Sequence, residues 1–219
     1  MKLSSRLLFV TRFIEKDMVI ADIGSDHGFL PFYLLENNLI AKAYACDNKI
    51  GPYNNLKKTF ADHFPNKIEL ALNDGLNNLP SYVNCVIMTG MGGDLIIKLL
   101  SRDNQYLNNV NYLILSPQSN IPLVREYVSN NGFKIIDEGL VEDDKIYTVI
   151  KCQKGQQVLN QKELYFGPIL VNNKDSLFMN LYSKRLDEIH QLLNKNLSIE
   201  RINQLTEEVN LIKEVLNEK

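Results

Sequence analysis

Three aspartates stand where short apolar runs end. Asp22 follows Val19-Ile20-Ala21, Asp47 follows Ala43-Tyr44-Ala45-Cys46, and Asp74 comes just past Ile68-Glu69-Leu70-Ala71-Leu72. Gly24 and Gly28 follow the first, Gly75 adjoins the third, and a further apolar run ends in Gly90-Met91-Gly92-Gly93. An apolar run ending in an acid, then two close glycines, then an apolar helix pattern outlines a strand, a tight turn and a helix that bind a nucleotide-like ligand. The acids in the first turn discriminate between ligands. A dinucleotide turn brings backbone N–H groups up to an anionic pyrophosphate, and Asp22 and Asp26 would repel it. They suit a cationic centre with an ammonium group, and S-adenosylmethionine has both.

Each piece of that ligand then has a partner. Gly24 and Gly28 let the backbone approach the methionine tail, with Ser25 and His27 in the same turn. Asp22 attracts the ammonium or holds the turn. Asp47, with Asn48 beside it, stands where nucleoside-binding folds place the carboxylate for ribose hydroxyls. Asp74, between Asn73 and Gly75, accepts from the adenine amino group. A lone aspartate is most often a turn or cap residue. Three at successive strand ends argue for binding.

The fourth strand end is where a methyl acceptor belongs. Glycines at Gly90 to Gly93 offer backbone groups that can lie close to a flat base, and Met91 is either an adaptable apolar wall or a core methionine. No general base is evident. Neutral adenine N1 already has an in-plane lone pair, so methylating it needs positioning and removal of water more than proton abstraction. Asp26, Asp94 and Gln118 are candidates to hold its amino group. The candidate catalytic set is therefore Asp26, Gly90, Met91 and Gln118. Arg6, Arg12 and Arg125 are candidates for RNA phosphates, against the commoner reading of solvated helix arginines.

The elements that must position these residues read in alternation. Strands are expected at 18–23, 41–47, 67–72, 82–88 and 112–115, with helices at 29–37, 52–60, 95–100 and 121–130 between or after them. A helix over 3–15 precedes them, and a hairpin of 133–141 and 145–150 follows. Alternation of this kind implies a parallel α/β sheet, whose ligands bind at the carboxyl ends of its strands. After a polar linker at 154–157 come two helices with three-four apolar spacing. Their seams are Met179, Tyr182, Leu186, Ile189, Leu193 and Ile202, Leu205, Val209, Ile212, Leu216. They pair antiparallel within one chain, giving a monomer, and dimerisation through the seam is the alternative. The domain division is 1–155 and 156–219.

Bulk properties exclude several classes. At 219 residues the chain can bury a real core, and a formal charge of -2 gives no global basic field, so any RNA surface must come from uneven charge. Three separated cysteines without a CxxC pair, and three histidines, predict reduced thiols and no metal site. Arg6 and Arg12 inside the first apolar pattern argue against a signal peptide, and no apolar run approaches the roughly 20 residues that span a bilayer. A cytoplasmic protein without a membrane partner is expected.

Several runs carry a family resemblance. Ala21-Asp22-Ile23-Gly24-Ser25-Asp26-His27, Gly51-Pro52, Asp74-Gly75-Leu76, Gly90-Met91-Gly92-Gly93, Arg125-Glu126 and Lys145-Ile146-Tyr147 closely resemble the bacterial tRNA adenine-N1 methyltransferases that modify adenine 22. The resemblance covers nearly the whole chain, including Phe166-Gly167-Pro168 and the closing helices. It implies a class I, Rossmann-like methyltransferase sheet with helices on both faces and a C-terminal coiled-coil hairpin. It also implies S-adenosylmethionine as donor, S-adenosylhomocysteine as product, and N1 of a D-arm adenine in tRNA as acceptor. Two departures stand out. Ser116-Pro117-Gln118 replaces an expected Gln-Pro-Asn, and Asp47 replaces a glutamate. The competing readings are a nicotinamide-dependent oxidoreductase and a non-catalytic coiled-coil adaptor on a relic cofactor fold.

Overall fold

A computed structural model describes residues 1–217. The chain divides into two compact units, Met1–Val158 and a second beginning at Leu159.

The first unit is built on a seven-stranded sheet of order β3-β2-β1-β4-β5-β7-β6. Its strands are β1 (Ile20–Ile23), β2 (Ala43–Asp47), β3 (Ile68–Leu72), β4 (Cys85–Thr89), β5 (Tyr112–Ser116), β6 (Phe133–Glu142) and β7 (Ile146–Lys154). β1 to β5 are parallel, while β7 runs antiparallel to both β5 and β6. Every residue of β1 and β2 is buried, as strands covered on both faces require. The edge strand β3 is only partly covered.

The connecting helices are α2 (Phe29–Glu36), α3 (Ile50–Phe60), α4 (Gly93–Arg102) and α5 (Ile121–Asn130). Strand order runs outward from β1 in one direction and from β4 in the other. Right-handed crossovers then put α2 and α3 on one face and α4 and α5 on the opposite one. Leu30, Leu34, Leu56 and Phe60 accordingly share one core cluster with Ala45, Ile87 and Val149. Full burial of each such side chain contributes about 1.5–3 kcal/mol. The reversal of strand order between β1 and β4 opens the crevice where ligands of this architecture bind.

The first helix is shorter than expected. α1 spans Ser5–Val10, capped by the Ser4 hydroxyl, and tightens into a 3-10 turn at Thr11–Phe13. Phe9 explains its seat. A Cβ on Gly139 of β6 would stand 2.6 Å from the Phe9 ring, so the missing side chain admits the aromatic. β7 extends four residues further than the pattern suggests, to Lys154, because Gln153 and Lys151 continue to pair with Tyr112 and Ile114 of β5.

The second unit holds α6 (Gln161–Phe166), α7 (Leu170–Asn173), α8 (Ser176–Leu193) and α9 (Ile199–Asn217). Asn160 and Glu163 form a reciprocal capping box on α6, and Asp175 caps α8. α8 and α9 pack together across a short connection. Arg185, eight residues before the end of α8, bonds Glu208, nine after the start of α9, at 2.6 Å, which is antiparallel pairing. The seam differs from the expected one. Phe178 is buried rather than Met179, Val215 rather than Leu216, and Ile202 is 38% exposed. At the Phe178 end the cause is α6. Its Tyr165 and Phe166 pack on Phe178 and Tyr182, so this end of the pair is a three-helix core. Among the described residues, no helix is long and apolar enough to cross a membrane. None form a His/Cys/Asp/Glu group able to hold a metal ion.

Candidate active site

Two clefts lie at the carboxyl ends of the parallel strands. The first, about 430 Å³, is lined by Gly24, Asp26, Asp47, Asn48, Lys49, Asn73, Asp74, Gly75, Gly90 and Met91, with Pro52, Leu95 and Leu99 as apolar wall. The second, about 370 Å³, is lined by Arg6, Leu7, Asp22, Ser25, Asp26, His27, Phe29 and Gln118. Gly24, Asp26, Thr89 and Gly90 belong to both, so the clefts meet over the ends of β1 and β4.

The turn after β1 is made by three left-handed residues, Gly24 at φ +71°, Asp26 at +53° and Gly28 at +70°. Aspartate tolerates this region better than most residues. Gly24 and Ser25 both donate their N–H groups to the Cys46 carbonyl at 2.9 Å, and Gly28 donates to Ser25. The Asp26 N–H points at Asp47 Oδ2, 3.3 Å away. Four of the turn's amides are therefore used inside the protein. A pyrophosphate needs those amides, so the turn is unsuited to a dinucleotide, and the nicotinamide alternative loses its anchor.

Asp22 is buried, and its carboxylate accepts from the Ser25 hydroxyl at 2.5 Å. Burial pushes its pKa up to about 6, against the Ser25 hydrogen bond, and the charge of Asp47 adds to the rise. A buried carboxylate in this state stabilises a cation brought beside it. Asp47 accepts from the Lys49 and Asp26 amides, one on each oxygen, which leaves lone pairs for a ligand. Asp74 is exposed, with Oδ2 on Arg102 at 2.7 Å and Oδ1 facing the Asn48 amide at 3.4 Å. Asn73 donates its amide to Gly75 and Asn77 within the same turn and to the Tyr44 hydroxyl on β2.

The glycine-rich run closes the other side. A Cβ on Gly24 would lie 2.3 Å from the Met91 methyl, so Met91 packs directly on the first turn. A Cβ on Gly90 would meet no atom within 4 Å, which keeps the junction of the clefts open. The Met91 carbonyl accepts from the Gln118 N–H, tying this run to the loop after β5. A nucleoside with a cationic sulfonium fits this set: four carboxylates, an apolar wall for a flat base, and backbone close to the junction.

Some expected site residues lie elsewhere. Gly28 lines neither cleft; a Cβ there would collide with Phe60 and Leu56 of α3, so its role is helix packing. Arg125 is buried at 1% exposure and ion-paired to Glu138 at 2.8 Å, which removes it as a phosphate contact. Its position inside a helix showed no sign of this, because the partner is on β6. Arg12 is exposed but lies over the Phe9 ring, outside both clefts. Arg6 lines the second cleft, 4.8 Å from the Tyr147 ring centroid. Asp94 accepts the Asn120 amide and is no cleft residue. Ser116 is fully buried, its hydroxyl without a protein partner, whereas Gln118 reaches the cleft.

Other cleft residues went unread. Lys49 follows Asp47 and Asn48 directly, and Phe29 follows Gly28, so adjacency was an available signal. Phe29 stacks on His27 at 5.1 Å and 18°, an exposed aromatic pair at the cleft. His27 Nε2 is 3.7 Å from Asp26 Oδ2. The cysteines take no part. Burial pushes Cys46 and Cys85 up to about 12, so they are neutral thiols.

Known proteins share this fold. A family model for tRNA (adenine(22)-N(1))-methyltransferases matches residues 20–215. The Bacillus subtilis (strain 168) tRNA (adenine(22)-N(1))-methyltransferase is 28% identical, over 99% of this chain and 98% of that one. The Streptococcus pneumoniae protein Sp1610, solved with S-adenosyl-L-methionine, superposes with a TM-score of 0.91 at 30% identity, covering 99% and 100% of the two chains. M. capricolum TrmK, solved with S-adenosylhomocysteine, gives 0.87 at 27% identity over 98% of each. The family match runs from the first strand into the last helix, and the chain belongs to the tRNA (adenine(22)-N(1))-methyltransferase family.

Proposed function

We propose that this protein transfers the methyl group of S-adenosylmethionine to N1 of adenine 22 in tRNA. The observation that carries the reading is the meeting of two clefts over Gly24 and Gly90, one suited to a cationic nucleoside and the other open beside it. When bound in the first cleft, the donor supplies an electrophilic methyl carbon on a positively charged sulfonium. Asp26, which borders both clefts, and Asp22, across their junction, favour the positive charge and the ammonium. Asp47 accepts from the ribose hydroxyls, and the Asn73-Asp74-Gly75 turn, with Asn48, faces the adenine.

The second cleft receives the target base. Gln118 and Asp26 hold its amino group, and His27 with Phe29 offers a face for stacking. Gly90 leaves the path between base and methyl clear, and Met91 excludes water from it. N1 attacks with its own lone pair, so no side chain removes a proton first. As the new N–C bond forms and the C–S bond breaks, positive charge moves to the base, and Asp26, which borders both clefts, faces it before and after. Binding out of the duplex requires a flipped base, and Arg6 at the cleft is the arginine left to meet its phosphates.

The first unit, on this reading, holds the chemistry and the second adds to tRNA affinity. The protein works as a cytoplasmic monomer, since tRNA is found there and the α8–α9 seam is filled within one chain. The test is incubation with radiolabelled donor and unmodified tRNA, followed by mapping of the modified base. Label on N1 of adenine 22 is expected. Label on another tRNA position, or none while tRNA and donor both bind, would overturn the proposal.

A further inference from the structure

Behind the adenine end of the first cleft lies a clasp. Arg102, the last residue of α4, donates through Nη1 to Asp74 Oδ2 and through Nη2 to the Asp74 carbonyl, each at 2.7 Å. The same guanidinium grips Asp103 through Nε to Oδ1 and Nη2 to Oδ2, also at 2.7 Å. Asp103 in turn accepts the Leu76 N–H at 2.9 Å. The Asp74-Gly75-Leu76 turn is thus wrapped around the Arg102-Asp103 fork at both ends. Its middle residue shows how closely: a Cβ on Gly75 would stand 2.7 Å from Asp103 Oδ2 and 2.8 Å from Arg102 Nη2. Asp103 is buried, and Arg102 holds its carboxyl below the usual carboxylate range.

Asp74 needs such a hold. Its side chain is 58% exposed, and the contact from Asn48 at 3.4 Å is long. A carboxylate that accessible changes rotamer freely unless a partner fixes it; Arg102, its guanidinium plane set by two parallel bonds to Asp103, gives Asp74 one bond on the carboxylate and one on the carbonyl. With Oδ2 held by Arg102, Oδ1 is the oxygen left to face the cleft.

We propose that the Arg102-Asp103 clasp is a specificity device for the donor's base, orienting Asp74 so that the cleft selects a 6-amino purine over a 6-oxo purine. It rests on the reading above that Asp74 meets the adenine amino group. An oriented carboxylate accepts from an amino group and repels a carbonyl oxygen in its place. A carboxylate released into solvent does neither well. Arg102 is a positioning residue here; it lines neither cleft.

The experiment is calorimetric binding of S-adenosylhomocysteine and of S-inosylhomocysteine to the full chain, as wild type, Asp74→Ala, Arg102→Gln and Arg102→Lys. Wild type should prefer the adenosyl compound by roughly tenfold or more, the scale of one hydrogen bond to a charged group. Arg102→Gln should lower that preference to near the Asp74→Ala value, chiefly by weakening adenosyl binding. Arg102→Lys, a single point donor, should fall between. Thermal melting checks each variant, and should Arg102→Gln lose its cooperative transition, Arg102→Lys decides. Equal weakening of both ligands in the Arg102 variants would reduce the clasp to a structural brace and overturn the proposal. Selectivity lost in Asp74→Ala but kept in the Arg102 variants would overturn the clasp alone. Selectivity kept in Asp74→Ala would remove the Asp74 assignment, and the proposal with it. Binding of neither compound to wild type would count against the methyltransferase reading itself.

Discussion

Lowering the pH through 6 should weaken binding of S-adenosylhomocysteine, through Asp22. This carboxyl is buried, and its pKa rises from 3.8 to about 6, a difference of about 3 kcal/mol between its protonation states. In the ligand-free protein the raised value means that the folded state takes up the proton more readily than the unfolded chain. Its contribution to stability is complete below 3.8 and is lost as the pH rises through about 6. A bound ammonium requires the carboxylate, so binding has to expel the proton below that point. Affinity should be flat from about pH 8 to 6.5 and then fall about tenfold per pH unit below 6. Calorimetry across this range, in buffers of different ionisation enthalpy, reads both the slope and the proton released. Asp22→Asn should flatten the profile and weaken binding at neutral pH by about 1.5–3 kcal/mol. The same variant should stabilise the ligand-free protein above pH 6, by up to about 3 kcal/mol in chemical denaturation. Opposite signs for stability and affinity separate this account from simple damage to the turn. A wild-type profile flat down to pH 5, or a slope that survives in Asp22→Asn, would refute the reasoning.

Two further outcomes follow from the packing. Gly24→Ala forces a side chain onto a left-handed backbone, at about 1–2 kcal/mol, and drives its Cβ to 2.3 Å from the Met91 methyl. Both denaturant stability and S-adenosylhomocysteine affinity should drop, and unchanged affinity would show that Met91 moves aside without consequence. Arg125→Ala leaves Glu138 buried without its ion pair to that guanidinium and should cost about 3–5 kcal/mol in urea unfolding. Arg125→Met with Glu138→Leu should recover most of that loss, and the salt dependence of tRNA binding should match wild type in the double variant.

The ligand class was legible before any fold was known, because its determinants are local. A strand, a turn and a helix start are contiguous in sequence, and parallel β-α alternation brings all strand ends to one edge. Asp22, Asp47, Asp74 and the start of the Gly90 to Gly93 run therefore had to converge; Gly90 and Met91 line the clefts with the acids, while Gly93 packs against Ser119 and Val124. The choice against a dinucleotide also came from local residues, the acids of the first turn. Its second reason did not. That the Gly24 and Ser25 amides are spent on the Cys46 carbonyl depends on β1 lying beside β2.

What tertiary structure alone decided are the partners far apart in sequence. Arg125 looked like a surface cation and became a buried one, since Glu138 waits on β6. Gly28 looked like a ligand glycine, yet α3 packs where its side chain would be. In the second unit a short helix that periodicity could not resolve, α6, turned Phe178 inward in place of Met179. Arg102 carried no signal at all, because its meaning lies in a turn 28 residues upstream. Residue type and spacing determine which groups reach the edge of a parallel sheet; which hydrogen bonds those groups have left to offer a ligand is determined by neighbours that only the folded chain supplies.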